Sequence, residues 1–315
     1  KPQTPPPAGI SRTDLAARLK ALVGHDVKIT VGDQARQAKE LGGPPAKRQL
    51  PATWAAWDPG TNATLFDEVV TAFTDVQREV GGLPDITEVV FYELHYGWDA
   101  ADNVVSDPNA AASIRGRQMN VYKAALFPTQ VLTGGSSFTK SGVPFAKERS
   151  TKKAEAGEDS PTRAESQRRS VAHELGHGIE RRTGALDDFE KAVGWVRVGG
   201  DKRLYDIQDP AVRKAIDKGT EPPAAARITK ADWNSGKHRE QPMRDYAVTD
   251  SEEDFADSLS AWIYARDTLK QRSPARWKFF EDHKGATSGW AAKLIPPGGA
   301  PAAPPATPPA KGSGG

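Results

Sequence analysis

The sequence His173-Glu-Leu-Gly-His177 constrains this chain more than any other feature, because it demands a helix with one chemically specialised face. An α-helix turns about 100° per residue, so histidines four positions apart project from one face, about 40° apart. Two imidazoles in that arrangement can bind one metal ion. Glu174 follows His173 directly, where a carboxylate can take a proton from a metal-bound water. The motif therefore predicts a metal-binding helix with an acid–base group beside the metal.

The residues around the motif fit the two ends and the buried side of such a helix. Ser160 can cap its first turn, Pro161 suits its first position, and Gly184 can end it. An apolar stripe on the side away from the histidines would pack against a core, and it consists of Val171, Leu175 and Ile179. The alternative is an amphipathic helix whose two histidines are only solvated.

A catalytic zinc site needs a third protein ligand and an open position for water. The metzincin arrangement, with His-x-x-Gly-x-x-His running on from the second histidine, is excluded because Glu180 and Thr183 occupy the later positions. A downstream acid is the other common solution. The segment 249–264 predicts a second helix, which Asp250 or Ser251 can cap.

Two acids lie one turn apart on that second helix. Glu253 can bind the metal, and Asp257 can accept the free N–H of a ligand histidine and so fix its tautomer. Asp254 is the alternative ligand, although it lies about 100° from Glu253 and should point away. The simpler alternative is an acidic first turn that complements the helix dipole, but two histidines in the same chain favour the metal site. The apolar face of this helix would be formed by Phe255, Leu259 and Trp262.

These two segments, taken together, resemble the gluzincin metallopeptidases. The motif at 173–179 is followed by Asp245-Tyr-Ala-Val-Thr-Asp-Ser-Glu-Glu-Asp-Phe-Ala-Asp257. This is most similar to the group typified by the catalytic domain of anthrax lethal factor, which has Tyr-Ala-x-Thr-Asn-x-x-Glu-x-Phe-Ala-Glu in that place. The chain departs from the pattern at Asp250, where Asn is usual, and at Asp257, where Glu is usual. The resemblance covers about residues 85–290.

The resemblance implies an α+β, zincin-like metallopeptidase domain with a small mixed sheet, an edge strand that binds substrate, the metal helix and a second helix bearing a glutamate. It implies that His173, His177 and Glu253 hold Zn²⁺ and that Glu174 is the general base. Tyr246 matches a tyrosine whose hydroxyl assists at the transition state. The alternative for Tyr246 is simple packing at the start of the second helix.

Segments 86–94 and 117–126 are rich in β-forming residues and predict strands upstream of the metal helix. In gluzincins the strand before that helix lies at the sheet edge and pairs with the substrate backbone. The resemblance implies this substrate-binding role for Gln118, Met119, Asn120, Val121 and Tyr122. An ordinary core strand is the alternative.

The remaining histidines and the interval between the motifs carry weaker signals. His238 precedes Tyr246 by eight residues and is a candidate to hydrogen-bond a tetrahedral intermediate. We expect structural or solvated roles for His25, His95 and His283. The long interval from His177 to Glu253 indicates an insertion, in which segments 187–198 and 210–218 predict helices.

Composition divides the chain into four predicted segments. Residues 1–12 form a proline-rich leader that we expect to be disordered, and 294–315 form a tail rich in Pro, Ala and Gly. Residues 13–58 predict a small N-terminal lobe or a docking segment, with a helix at 15–23, a strand at 26–31 and a helix at 34–41. Residues 59–293 would form the metallopeptidase domain, with a long loop at 127–160 entering the metal helix.

Charge, hydropathy and the lack of cysteine exclude several classes of function. A net charge of +2 over 315 residues gives no basis for binding nucleic acid, and no apolar run reaches transmembrane length. With no cysteine, disulfides, thiolate catalysis and Cys-ligated zinc are excluded. The lack of cysteine suits a protein secreted or translocated from a bacterium, although no signal peptide is visible. The proline-rich ends would connect the chain to a larger polypeptide or delivery assembly.

Two classes of function therefore follow from the sequence. The first is a zinc-dependent endopeptidase acting on a peptide or protein, as a toxin or effector or as a cell-wall peptide hydrolase. The second is a catalytically idle peptidase fold that serves as a binding or structural module. The presence of Glu174 favours the first class, because a binding module does not need a base.

Overall fold

The computed structural model describes residues 10–40, 65–93, 95–98, 104–107, 112–122, 163–235, 238, 240, 242–244, 246–285 and 287–294. Short 3₁₀ turns lie at Ala224–Ala226 and Tyr246–Val248. In chain order the helices and strands are α1 (Arg12–Val23), β1 (Lys28–Val31), α2 (Gln34–Glu40), α3 (Leu65–Val80), β2 (Glu88–Tyr92), β3 (His95–Trp98), β4 (Val104–Asp107), β5 (Ala112–Arg115), β6 (Gln118–Tyr122), α4 (Arg163–Thr183), α5 (Leu186–Val193), β7 (Trp195–Val198), β8 (Asp201–Leu204), α6 (Pro210–Asp217), α7 (Lys230–Ser235), α8 (Ser251–Tyr264), α9 (Arg266–Arg272), α10 (Pro274–Asp282) and α11 (Gly289–Leu294).

A four-stranded mixed sheet in the order β1-β2-β6-β5 packs against the helix that carries the histidine motif. The first three strands in that order are parallel, and β5 is antiparallel to β6. Hairpins β3–β4 and β7–β8 lie outside this sheet. The expectation of an α+β fold with a small mixed sheet is thereby confirmed.

The edge position predicted for Gln118, Met119, Asn120, Val121 and Tyr122 is wrong. These residues form β6, which is paired with β2 on one side and with β5 on the other. A tight turn at Gly116, with φ of 59°, folds the chain back so that the preceding strand β5 takes the outer place. The backbone of β6 is therefore committed to the sheet and has no free side for a peptide.

The side chains of β6 are also engaged within the protein, on both faces of the sheet. Met119 and Val121 are fully buried in the main core, on the side of the sheet that α4 covers. The intervening residues lie on the opposite face, as the twofold alternation of a strand requires. There they join a polar network with Arg36 and Glu40 of α2, formed by Gln118, Asn120 and Tyr122.

The described part of the N-terminal region belongs to the main sheet and core. Helix α1 begins with a capping box between Ser11 and Asp14, and it buries Leu15 and Leu19 in the main core. Strand β1 is hydrogen-bonded to β2 as its parallel neighbour. The three elements predicted within 13–41 are present, but residues 10–40 are integrated with the rest of the fold. The predicted boundary near residue 58 lies outside the described residues.

Helix α4 carries the histidine motif, and its apolar stripe packs as predicted. Val171, Leu175 and Ile179 are all fully buried in the main core. Gly184 ends the helix with φ of 67°, and its N–H donates to the carbonyl of Glu180 at 2.8 Å. The predicted cap at Ser160 and Pro161 lies outside the described residues.

Two glycines inside the motif let α4 approach its neighbours closely. A Cβ added at Gly176 would lie 3.0 Å from the Cα of Ala256 on α8. A Cβ at Gly178 would lie 2.8 Å from the side chain of Pro84 and 3.0 Å from that of Ile114 on β5. Helix α4 is thus held against α8 on one side and against the antiparallel edge strand on the other.

The interval between the two motifs folds into helices and a hairpin, with one departure from prediction. The helix predicted over 187–198 ends at Val193, because Gly194 adopts φ of 97° and the chain continues as β7. Trp195–Val198, with the β-forming residues Trp195, Val196 and Val198, pair with β8. The helix predicted over 210–218 is confirmed as α6. Within the described ranges, no helix combines the length and the apolarity that crossing a bilayer requires.

Gly176→Ala should destabilise the protein, because the added methyl group would press on the backbone of α8 at Ala256 and the two packed helices would have to move apart. Overpacking of this kind typically costs about 1–3 kcal/mol, which outweighs the roughly 1 kcal/mol that alanine gains over glycine in a helix. Urea unfolding measures the change. Gly289→Ala is the matched control, since a Cβ there has nothing within 4 Å. Equal stability of the two variants would contradict the close packing.

Candidate metal centre

The packing of α4 against α8 brings together the three residues predicted to bind metal. The Nε2 atoms of His173 and His177 are 3.2 Å apart. The Glu253 carboxylate oxygens lie 3.2 Å from His173 Nε2 and 3.6 Å from His177 Nε2. A tetrahedral zinc ion with bonds of about 2.0–2.2 Å has ligand–ligand edges of about 3.3–3.6 Å. The three atoms are therefore spaced to hold one metal ion.

The start of α8 determines where Glu253 points. Asp250 is the N-cap, and its carboxylate accepts from the backbone N–H groups of Glu252 and Glu253 at 2.8 and 3.4 Å. This satisfies donors that the first turn of a helix leaves unpaired. The capping role predicted for Asp250 is confirmed, and it fixes Glu253 in the first turn, facing the histidines of α4.

Asp257, one turn further along α8, lies next to His173, and the supporting role predicted for it stays a prediction. Its carboxylate is completely buried, and its Oδ1 lies 2.8 Å from His173 Nδ1. The contact is close, but its angle is not that of a fully formed hydrogen bond. The position leaves His173 Nε2 directed at the metal site.

Arg244 is a member of the site that sequence reasoning missed. Its Nε donates to the second oxygen of Asp257, and its terminal nitrogen lies 3.7 Å from Glu253. The arginine therefore links the Glu253 carboxylate to the Asp257 carboxylate. The only sequence signal was its place two residues before Tyr246, in a segment without periodicity.

The charges around the histidines favour a cation at this place. Burial opposes protonation of His173, but Asp257, Glu253 and Glu174 together raise the pKa of His173 to about 10. Burial likewise opposes ionisation of Glu253, yet the two imidazoles hold the pKa of that carboxyl well below its usual range. A pocket that stabilises an imidazolium by this means would also stabilise a metal ion.

Glu174 lies beside the ligand set, as predicted for a base. Its Oε1 is 3.9 Å from His173 Nε2, and its side chain is only 14 % exposed. It belongs to the same turn of α4 as His173 but projects to the side of the three ligand atoms. A carboxylate there can reach a water held at the fourth position of the metal without occupying a ligand place.

The two remaining candidates for the transition state, Tyr246 and His238, are not seen in contact with the three candidate ligands in the described part of the structure. The backbone of Tyr246 opens the 3₁₀ turn before α8, but its side chain lies outside what is described. His238 is buried, and its Nδ1 is 3.3 Å from Asp206, which follows β8. The roles predicted for both residues at the transition state stay predictions.

Two of the remaining histidines make structural contacts, as expected. His25 Nε2 lies 2.9 Å from the carbonyl oxygen of Ile86, and His283 Nδ1 lies 2.7 Å from that of Phe279. The ring of His95 packs edge-on against Tyr122 at 4.7 Å between centroids.

Asp254, the alternative ligand, points away from the metal site as predicted. It is completely buried and accepts from Arg276 at 2.8 and 2.6 Å and from the indole N–H of Trp195 at 2.9 Å. Arg276 is also completely buried and donates to Glu240 at 2.8 Å. These groups form an ion-pair network that joins α8 to α10.

A second cluster adjoins the metal site on the far side of His177. Oxygens of Glu180 and Glu252 and a ring nitrogen of His177 all lie within 4.8 Å of one another. Burial, together with the nearby Glu252 carboxylate, raises the pKa of Glu180 to about 7. Glu252 is half-exposed and lies 3.6 Å from Arg181. Sequence reasoning considered Glu180 only as the residue that excludes the metzincin pattern.

Glu253→Ala should abolish tight metal binding, because it removes one of three ligands. Its neighbour provides the matched control: Glu252→Ala removes the adjacent carboxylate of the same helical turn but leaves the ligand set intact. Asp257→Ala should fall between them, with affinity weakened by roughly 10–100-fold. Competition titration with a chromophoric chelator ranks the three variants. Tighter zinc binding by Glu253→Ala than by Asp257→Ala would reverse the assignment of ligand and supporter.

Asp254→Ala should unfold the protein far more readily than a surface change, because it leaves the buried Arg276 guanidinium partly unpaired. Loss of a buried partner typically costs about 3–5 kcal/mol. Denaturant unfolding measures this, with Asp282→Ala as control. That change breaks the exposed pair with Lys278 on α10, where about 0–1 kcal/mol is expected. Similar losses in both variants would mean that Asp254 has no structural role.

Comparisons of the chain with protein-family models, with curated proteins and with solved structures found no match. The interpretation of the site therefore depends on the residues, distances and burial described above.

Proposed function

We propose that this protein is a zinc-dependent metallopeptidase of the gluzincin type, which hydrolyses peptide bonds. The observation that carries the proposal is the set of three ligand atoms spaced for one tetrahedral ion, with Glu174 beside it. Two histidines and a glutamate are a ligand set of catalytic zinc, and they leave one position for water. The donor set, with nitrogen and carboxylate ligands and no thiolate, also suits zinc.

The chain's own residues would divide the work of hydrolysis between proton transfer and positioning. Bound zinc would polarise the scissile carbonyl and lower the pKa of a coordinated water to about 7. Glu174 would take a proton from the water and deliver it to the leaving nitrogen of the peptide. Asp257 would hold His173 in the required tautomer, and Arg244, which donates to the other oxygen of Asp257, would hold that carboxylate in position.

Strand β5, rather than β6, would align the substrate. It is paired with β6 on one side, and among the described residues no strand pairs with its other side. Its Ile114 lies against the metal helix at Gly178. An extended peptide added to this outer side would gain main-chain hydrogen bonds while running beside the metal helix.

Glu174→Gln tests the proposal, because it keeps the size and hydrogen bonding of the side chain but removes its basicity. We expect the wild-type protein to cleave members of a diverse peptide library, a chelator to stop cleavage, and added zinc to restore it. The variant should retain about one zinc per chain while turnover falls by roughly 10²–10⁴-fold.

Two outcomes would contradict the proposal in different ways. Equal cleavage by wild type and Glu174→Gln would remove Glu174 from the mechanism. A wild-type protein that binds zinc but cleaves no peptide would favour the idle binding module.

A further inference from the structure

Two buried polar atoms without a hydrogen-bond partner lie in the cluster beside the metal site. One is Nδ1 of His177, and the other is Oε2 of Glu180. Both residues are more than nine-tenths buried. Leaving such a group unpaired typically costs about 1–3 kcal/mol, so a buried donor and a buried acceptor in one cluster require an explanation.

The backbone already brings these two groups to the same side of α4. Glu180 follows His177 by three residues, which are neighbouring positions on a helix surface. A ring nitrogen of His177 and an oxygen of Glu180 lie within 4.8 Å of each other. The two groups are therefore close neighbours on the surface of α4.

Metal binding would give His177 a donor that needs an acceptor. Its Nε2 faces His173 and Glu253, so this atom is the one available to the metal. When Nε2 binds a metal, Nδ1 carries the ring proton, and a buried N–H of this kind is nearly always paired. For His173 the acceptor is Asp257, which comes from α8. No corresponding acceptor for His177 is provided by the described part of α8 apart from the half-exposed Glu252.

We propose that Glu180 is a positioning residue, whose carboxylate accepts the Nδ1–H of His177 when His177 binds the metal. This inference rests on the metal site of the proposed function but does not require peptide cleavage. Each ligand histidine would then have its own acidic partner, one from α8 and one from the next turn of α4. The hydrogen bond would fix the tautomer and the ring orientation of His177.

A cation shared by His177, Glu180 and Glu252 is the competing use of the same cluster. It is disfavoured because the guanidinium of Arg181 already lies 3.6 Å from Glu252. It would also require Nδ1 of His177 to give up its proton while Nε2 is bound to the first metal ion. The experiment therefore includes metal stoichiometry.

The test uses the full chain loaded with zinc and labelled with ¹⁵N at histidine. The chain has six histidines, so ring signals can be assigned by single substitutions. In the wild type we expect an Nδ1–H signal of His177 that is protected from exchange with water. In Glu180→Ala this signal should disappear through exchange, while the Nδ1–H signal of His173 persists. Zinc affinity should fall by roughly 10–100-fold.

Two further variants separate positioning from a merely structural role. Glu180→Gln keeps an acceptor oxygen, so it should retain the protected signal at a shifted frequency and recover most of the zinc affinity. Glu252→Gln changes the neighbouring carboxylate and should leave the His177 signal unchanged. If Glu180→Ala does not fold, the shifted signal in Glu180→Gln still tests the contact, and an unshifted one overturns it.

Two other results would overturn the role of Glu180 without contradicting the proposed peptidase function. These are a His177 Nδ1–H signal that is unchanged in Glu180→Ala, or a second bound metal equivalent that is lost in that variant. Conversely, a protein that shows the predicted signals but cleaves no peptide supports the role of Glu180 and contradicts only the peptidase function. Failure of the wild type to bind zinc overturns both.

Discussion

The close contact between α4 and α8 is the constraint on which the site depends. It is the most extensive contact between any two described elements, and it is possible because residue 176 has no side chain. The two histidines belong to one helix and Glu253 to the other, so the helix separation sets the ligand spacing directly. A shift of a few tenths of an ångström would disturb edges that now measure 3.2 to 3.6 Å. The packing of the two helices therefore also fixes the geometry of the candidate metal site.

Two neighbouring acids on helix α8, Asp254 and Asp257, have different partners and therefore different roles. Asp254 and Asp257 are both completely buried, and each is paired with an arginine. Arg276 pairs with Asp254, and this ion pair joins α8 to α10. Arg244 pairs with one oxygen of Asp257, and the other oxygen of that carboxylate lies 2.8 Å from His173 Nδ1. The two acids are three residues apart, about 60° round the helix axis, yet they share no partner in the described network.

Local features of the site could be predicted from sequence, whereas features set by long-range pairing could not. The histidine spacing, the cap at Asp250 and the stripe through Leu175 depend on helix periodicity, which the sequence displays directly. The place of β6 depends on which strands pair, and strand composition does not encode pairing order. Strand β5, which takes the outer place, was not predicted from the sequence. Arg244 was missed because its partner is thirteen residues away on another element.

The charge balance explains why so polar a centre can sit between two packed helices. Glu174, Glu253 and Asp257 bring three carboxylates close to the histidines, and Arg244 offsets only part of their charge. An isolated buried carboxylate is strongly disfavoured, so the fold must supply further positive charge at this place. An imidazolium supplies it when His173 is protonated, and a divalent ion would supply more through the same Nε2 atom. The proton and the metal would thus compete for one position, and the carboxylates that raise the pKa of His173 would also strengthen metal binding.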